Sequence, residues 1–460
     1  MPFDSREAYG HGFTMLNQRS LDKRTREVQE LEYRHVVTSF LQFRGKVLLL
    51  RRSGKVGTYR SRWAAVSGYL GENEEPLQRA RIEIHEEVGL TSEQLDFVRS
   101  GEVLRAFDEQ TNVVWIVHPF LFEVNERKDR LDWEHSEIKW VEPRELARYE
   151  TVPKLRETYD RVRWDLRDPS PSLSSALERI EDIAQNRVHG ASILGRSSIE
   201  LIREVAVVSD ASSPDELFRD IFLVTMKLRT AQPGMATIRN VSGKLLHRID
   251  QQRISLAQVE EFRGRLVALA EDALAEAEAA AEDAARNSVA VLPSEGWLLT
   301  HSYSSVLRRA VGLGIKAGRK FRAYVTESYP GLEGRALAKD LLSLGVSVKL
   351  IADSAVASVM PNVDAVLVGA DSVLADGCVI NKVGTKQIAT LAKENQVSFY
   401  AACETAKFST ADFLGEPLEV SEIFDVTSSD YVSKIITEVG PVDPKEVKHH
   451  VRRMLREFYA

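Results

Sequence analysis

The chain has 460 residues, 43% apolar and 28% charged, the composition of a folded globular protein too long for one ordinary domain, so two or three are expected. Its two cysteines, Cys378 and Cys403, exclude a disulfide scaffold and fit a reducing compartment. A net charge of −7 without blocks of like charge argues against nonspecific nucleic-acid binding. With no secretory-leader core in MPFDSREAYGHGF and no apolar run of membrane-spanning length, a cytoplasmic protein without a membrane partner is expected.

Residues 1–30 are polar and charged and read as an arm ending in a short helix around Lys23 to Leu31. Two β runs follow, Val36 to Phe43 and Val47 to Arg51, split by a hairpin-like turn at Arg44-Gly45-Lys46. Trp63 to Leu70 is the next strand and delivers Gly68 to a loop. Glu75 to Val88 then reads as a helix, with Pro76 in its first turn and Gly89 just past its end. Glu83, Glu86 and Glu87 stand at i, i+3 and i+4 and so share one face of it. Three carboxylates this close repel one another and call for a cation. Hard, oxygen-seeking Mg²⁺ or Mn²⁺ fits best, and such ions usually work with phosphate substrates. Strand-like runs near Asp96 to Arg105 and Val113 to Val124 come next, then a short strand, Glu137 to Val141, and a helix opened by Pro143.

The stretch GYLGENEEPLQRARIEIHEEVGL, Gly68 to Leu90, resembles the Nudix box, G-x5-E-x7-R-E-U-x-E-E-x-G-U with U aliphatic. Gly68, Glu74, Glu83, Ile84, Glu86, Glu87, Gly89 and Leu90 fall on the pattern in register, whereas Ile82 stands where the family has arginine. That arginine normally steadies the metal-binding glutamates, and Arg79, one turn before Glu83 on the same face, is the candidate stand-in. An acidic, solvated helix face would explain the charge but not the register. The resemblance spans roughly residues 30–165, including Thr151-Val152-Pro153 at the start of a closing helix. It implies an α/β/α sandwich with a mixed sheet, Mg²⁺ (or Mn²⁺) on Glu83, Glu86, Glu87 and Gly68, and Glu83, Glu86 and Glu87 as catalytic residues. The implied reaction is hydrolysis of a nucleoside diphosphate linked to another moiety, of ADP-ribose or nucleotide-sugar type.

Arg167 to Ser175 (RDPSPSLSS) has linker chemistry. From Leu177 to about Ala285 the pattern is almost all helical, with breaks near Ser209 to Pro214 and Gln232 to Gly234. The Ala/Glu-rich run 267–285 reads as a long helix propped by its own propensity and ion pairs. Short apolar runs then alternate with helical segments: Trp297 to Thr300, Phe321 to Thr326, Val346 to Ala352, Asp364 to Gly369 and Ser398 to Ala402. That rhythm implies a doubly wound parallel sheet, which binds ligands beyond the carboxyl ends of its strands. The residues standing there are His301-Ser302-Tyr303-Ser304-Ser305 at a helix start, Asp371 after Gly369-Ala370, Asn381-Lys382-Val383-Gly384-Thr385, and Lys407. Each alone reads as a cap or a turn residue; together they sketch a pocket for an anionic, hydroxylated ligand.

The runs YVTESYPGLEGRALAKDL, LIADSAVASVM, VDAVLVGADSVLADGCVINKVGT, FYAACETAKF and FDVTSSDYVSKIITEVG resemble the α/β/δ regulatory subunits of translation initiation factor 2B. They are equally similar to the related ribose-1,5-bisphosphate and methylthioribose-1-phosphate isomerases, from about residue 175 onward. The resemblance implies a sugar-phosphate or nucleotide pocket at His189, Gly190, Ala191, Ser302, Asp371, Asn381, Lys382 and Lys407, and a homodimer or larger assembly through this half. The isomerases use a cysteine where this chain has Ser302, a far poorer proton-transfer group, and Gln232 and Tyr329 replace two arginines of the phosphate site. Isomerase activity is therefore disfavoured, and a ligand-sensing or translation-related binding protein is the alternative reading. The expected organisation is an arm (1–30), a Nudix-like domain (31–166), a linker (167–175), a helical subdomain (176–290) and a Rossmann-like parallel-sheet domain (291–460).

Overall fold

The computed structural model describes residues 14–15, 31–127, 132–165, 169–186, 190–253 and 258–459. Contacts divide the chain into two units, one drawn from residues 22–169 and the other mainly from 170–458. Of residues 1–30 only Thr14–Met15 is described, as a short strand antiparallel to Glu419–Val420. The helix expected at Lys23 to Leu31 falls almost wholly outside the described residues.

In the first unit β1 (Glu32–Phe43) is the spine of a mixed sheet. It runs parallel to a long later strand, Val113–Val124, and antiparallel to β2 (Lys46–Arg52) across the Arg44-Gly45 turn. The expected strand Trp63 to Leu70 is two: β3 (Trp63–Ala64) pairs with β2, and β4 (Val66–Tyr69) pairs with the middle of β1, from Val36 to Ser39. Ala65 lies between them, where the chain changes partner. Helix α1 (Pro76–Val88) is closed at both ends by local chemistry. The Glu75 carboxylate accepts the Gln78 N–H, Pro76 opens the first turn, and Gly89 takes the left-handed conformation (φ 72°) with its N–H on the His85 carbonyl. The run expected at Asp96 to Arg105 is also two strands, β5 (Leu95–Ser100) and β6 (Leu104–Asp108), laid in succession along β7 (Val113–Val124). β8 (His135–Val141) pairs with β2 through a register shift at Arg51/Arg52, and α2 (Leu155–Arg163) closes the unit.

One face of the sheet carries Val37, Leu41, Phe120 and Phe122 against Ala80, Ile84 and Val88 of α1; the other carries Phe40, Leu49 and Leu121 against Leu155, Tyr159 and Val162 of α2. This is the α/β/α sandwich expected. Each fully buried aliphatic side chain here stabilises by about 1.5–3 kcal/mol. The buried stripe of α1 is Ala80, Glu83, Ile84, Glu87 and Val88, so two glutamates sit where apolar residues normally do.

The second unit starts inside the stretch read as linker. Pro171–Leu173 already forms a 3₁₀ turn with Leu173 fully buried, and α3 (Ser174–Gln185) follows directly. Helices α4 (Ala191–Val208), α5 (Pro214–Ala231), α6 (Ala236–Arg253) and α7 (Val259–Ser288) form a bundle broken where Ser and Pro or Gln and Gly interrupt the pattern. The long helix α7 departs from expectation in its support. Ala281, Ala284 and Ala285 are packed in the core, and its Glu276 and Glu278 pair with Lys244, Arg248, Arg196 and Arg309 from elsewhere in the unit. Packing, more than the helix's own ion pairs, holds it.

Beyond α7, strands β9 (Glu295–Thr300), β10 (Lys320–Thr326), β11 (Ser347–Ile351), β12 (Ala365–Gly369) and, later, Ser398–Ala402 alternate with α8 (Ser305–Lys316) and α9 (Glu333–Ser343). Between them a small antiparallel sheet arises from β13 (Ser372–Val373), β14 (Val379–Lys382) and Phe424–Thr427. It was not expected. Helix α10 (Thr385–Glu394) follows β14. With β15 (Ser398–Ala402), β16 (Phe424–Thr427), β17 (Lys434–Thr437) and β18 (Gly440–Val442) named, the main sheet runs β11-β10-β9-β12-β15-β17-β18. The chain winds outward from β9 to β11, then restarts on the other side of β9 at β12. The switch point lies between β9 and β12, where this fold binds ligands at the strands' carboxyl ends.

Candidate functional sites

In the first unit, α1 lies with Glu83 directly over Gly68 of β4. A Cβ built on Gly68 would stand 1.6 Å from Glu83 Oε1, so only glycine leaves room for that carboxylate. Arg79 donates to Glu83 Oε1 from one turn earlier and lies 3.7 Å from Glu86 Oε2. Glu86 itself is exposed, as is Ile82. Glu87 is 5% exposed; its Oε1 accepts the Ser67 N–H at 3.2 Å, while Oε2 is buried without a hydrogen-bond partner. Burial pushes the Glu87 carboxyl well above the ordinary range, with the neighbouring carboxylates of Glu83, Asp132 and Glu134 adding to it. Burial also raises Glu83, against the pull of Arg79.

One residue of this site carried no signal in the local sequence. His135, at the bulged start of β8, has Nε2 3.8 Å from Glu87 Oε2 and Nδ1 2.8 Å from Asp132 Oδ1. Burial depresses its pKa. Among the described residues no three His, Cys, Asp or Glu side chains converge on one point, and the Glu83 carboxylate is paired with Arg79.

In the second unit the switch point gathers charge. Asp371 follows β12; burial raises its carboxyl, while Lys407 and an N–H bond from Ala191 pull it down. Lys407 is buried, donates to the Ala370 carbonyl at 2.7 Å and lies 3.6 Å from Glu404 Oε2. Gly190 is the N-cap of α4, and Ser192 of its first turn donates to Glu404 at 3.1 Å. Thus Gly190, Ala191, Asp371 and Lys407 come together, joined by Glu404. Lys382 forms a buried pair with Glu333 at 2.5 Å and acts electrostatically on Asp371. Asn381, beside it in β14, turns inward to Thr385 Oγ1 at 3.0 Å, structuring the start of α10.

Ser302 takes a left-handed backbone (φ 62°) with its N–H on Ser328 Oγ at 2.7 Å. Behind it the buried His301 donates from Nε2 to the Val383 carbonyl at 2.9 Å, with Nδ1 facing the Thr326 hydroxyl at 2.6 Å. Of the two positions read as lost arginines, Gln232 donates to the carbonyls of Ile183, Ala184 and Asn186 at the end of α3, and Tyr329 is 71% exposed. Cys403 is fully buried, and that burial pushes its thiol up, so it supplies no thiolate in place of the missing cysteine. His189 lies outside the described residues.

Comparison with known proteins follows the same division. Residues 33–162 match the NUDIX domain, and residues 187–422 match the initiation factor 2 subunit family. The ribose 1,5-bisphosphate isomerase of Methanocaldococcus jannaschii is 28% identical over 289 residues, 58% of this chain and 91% of that protein. A putative translation initiation factor eIF-2B subunit 2-like protein of Pyrococcus furiosus is 29% identical over 277 residues, 58% of this chain and 95% of its own. The crystal structure of the Pyrococcus horikoshii OT3 translation initiation factor eIF-2B superposes with TM-score 0.52 at 27% identity, covering 59% of this chain and 98% of that one. With its matched region spanning more than half of the sequence, the chain belongs to the initiation factor 2 subunit family and carries a NUDIX domain ahead of that region.

Proposed function

We propose that the first unit is a hydrolase of phosphorus anhydrides that cleaves a nucleoside diphosphate linked to another moiety, of ADP-ribose or nucleotide-sugar type. A NUDIX domain supports action on pyrophosphate bonds. The observation that carries the reading is the buried, partnerless Glu87 Oε2 beside Glu83, over a glycine that admits no side chain. A carboxylate oxygen desolvated without a partner is costly unless a cation or proton completes it. A hard divalent ion suits that orphaned oxygen, and Glu83, Glu86, Glu87 and the Gly68 backbone would be the groups to hold it. When bound, Mg²⁺ or Mn²⁺ neutralises charge on the phosphoryl oxygens.

The chain's own groups do the rest. Arg79 holds Glu83 and stands near Glu86, compensating for Ile82. One carboxylate of the set takes a proton from water as its oxygen attacks phosphorus. The P–O–P bond breaks, giving a nucleoside monophosphate and a phosphorylated second moiety. The test is a hydrolysis screen over ADP-ribose, nucleotide sugars, dinucleoside polyphosphates and nucleoside triphosphates with Mg²⁺ or Mn²⁺. Turnover lost in Glu86→Gln/Glu87→Gln supports the reading; no turnover on any compound refutes it.

For the second unit a distinct observation favours a binding role: half-buried Asp371 with buried Lys407 and Glu404 at the switch point, facing the first turn of α4. A lysine and a helix N-terminus suit an anionic group and a carboxylate suits a hydroxyl, which together describe a sugar phosphate or nucleotide. With Ser302 where the related isomerases have cysteine, we assign this pocket to ligand sensing rather than isomerisation, in a homo-oligomer. A ribose phosphate released by the first unit would be a ligand of the right class. Absence of calorimetric binding of ribose phosphates at millimolar concentration would remove this reading.

A further inference from the structure

The contact between His135 and Glu87 is unusual in what it lacks. Asp132 Oδ1 accepts from His135 Nδ1 at 2.8 Å and from the Glu134 N–H at 3.2 Å, so the proton on the ring is fixed at Nδ1 and the lone pair is left on Nε2. The opposite tautomer would set a nitrogen lone pair against a carboxylate at hydrogen-bond distance. Nε2 faces Glu87 Oε2 at 3.8 Å, too far for a hydrogen bond. Both side chains are almost fully buried, at 2% and 6% exposure, and Oε2 has no hydrogen-bond partner. The gap is one that an ion bonded at about 2.0–2.2 Å to an imidazole nitrogen and a carboxylate oxygen spans.

We propose that His135 Nε2 is a nitrogen ligand of the divalent ion at this site, paired with Glu87 Oε2 and oriented by Asp132. This rests on the hydrolase reading for the presence of an ion and adds a donor that the α1 carboxylates do not supply. The carboxylate–histidine–metal arrangement fixes the ring and raises the basicity of the ligating nitrogen. Its consequence is metal choice. An all-oxygen set suits Mg²⁺, whereas one imidazole moves preference toward Mn²⁺, Co²⁺ or Zn²⁺. The bulge at Arg51/Arg52, where β8 begins, sets His135 at this point, and the Ser53 N–H bond to the Glu134 carbonyl holds the preceding residue.

The test is electron spin-echo modulation of Mn²⁺ bound to the full chain, with Mn²⁺ and Co²⁺ affinities measured calorimetrically beside Mg²⁺. Nitrogen-14 coupling typical of directly bound imidazole is expected, absent in His135→Gln. In that variant Mn²⁺ affinity should fall about 10-fold or more while Mg²⁺ affinity changes less than 3-fold. An Asp132→Ala variant, which keeps the imidazole but loses its anchor, should weaken Mn²⁺ binding about 10-fold while retaining the coupling. Mn²⁺ binding without nitrogen coupling in the unaltered chain overturns the proposal and leaves the hydrolase reading standing. No binding of any divalent ion, with or without a diphosphate, overturns both.

Discussion

Glu87→Gln should make the first unit more stable while abolishing its turnover. The carboxylate is 5% exposed, receives one hydrogen bond from the Ser67 N–H, and leaves Oε2 unpaired. Burial raises its pKa well above the ordinary value. An acid raised in this way binds more protons folded than unfolded, so its contribution is fully favourable below the unfolded value of 4.5 and is lost as pH rises through the folded one. Near neutral pH without metal, Glu87 is therefore a liability. Glutamine has nearly the same shape, offers the same oxygen to Ser67 and has no charge to desolvate. The amide is still buried beside His135 but carries no charge, and losing the desolvation penalty of a buried charged group should stabilise by about 1–3 kcal/mol at pH 7.5. Hydrogen exchange of α1 amides reads this locally, without assuming that the two units unfold together. About 1.4 kcal/mol is a tenfold slowing where exchange proceeds through opening of this unit. The measurement would be made in chelator at pH values from 5 to 8, each normalised for intrinsic exchange, beside hydrolysis assays with Mg²⁺. A Glu87→Gln protein no more protected than the parent at pH 7.5, or a gain that fails to shrink toward pH 5, would refute the reasoning.

Three further outcomes follow from the same geometry. Gly68→Ala places a methyl 1.6 Å from the present position of Glu83 Oε1, so the carboxylate must leave; turnover should fall about 100-fold or more with the circular dichroism spectrum unchanged, and near-normal kcat would contradict the packing argument. Arg79→Gln should lower kcat by removing the cation that Glu83 and Glu86 share, and adding Ile82→Arg should restore much of the loss; an unaffected Arg79→Gln would mean Arg79 does not substitute for the missing arginine. Lys407→Met strands Asp371 and Glu404 without their cation and should cost the second unit about 3–5 kcal/mol in chemical unfolding, a loss that lessens on acidification because Asp371, already raised by burial, takes up a proton; an unchanged midpoint would show the pair to be dispensable.

The legible parts of this fold were those whose signals are local. α1 starts one residue after its expected start at Glu75, which is the N-cap, and ends where expected at Val88, because the cap, the proline and the left-handed glycine all lie at the helix's own ends. The strands β9, β10, β12 and β15 are buried over their carboxyl-terminal halves, where they read as apolar runs, and each lies within a residue or two of its expected span. β13, β14 and β16, two to four residues long, are too short to carry a periodic signal in the sequence. β14 ends in Asn381-Lys382, which look like loop residues until Thr385 and Glu333 are seen to satisfy them. Three charged or titratable partners were invisible for another reason. His135, Glu333 and Glu404 gain meaning only from residues far along the chain: Glu87, Lys382 and Ser192.

That pattern bears on the one departure from the Nudix box. Read along the sequence, Ile82 is a lost arginine and a reason to expect a retired enzyme. In three dimensions position 82 is exposed, and the guanidinium contacting Glu83 comes from Arg79, one turn earlier on the same helix. A motif fixes residue types at positions, but electrostatics requires only that a cation reach the carboxylate. A helix offers i−4 as readily as i−1, with i−4 on the same face. The same reasoning applied to Ser302 gives the opposite answer. The unit's buried thiol, Cys403, is fully buried with its pKa pushed up, and the Cys378 thiol lies against Asp376 with its pKa pushed up to about 12. Neither provides the thiolate that isomerisation would need. Under the proposed function Arg79 stands in for the first substitution and no thiolate stands in for the second, which is why we assign hydrolysis to the first unit and ligand binding to the second.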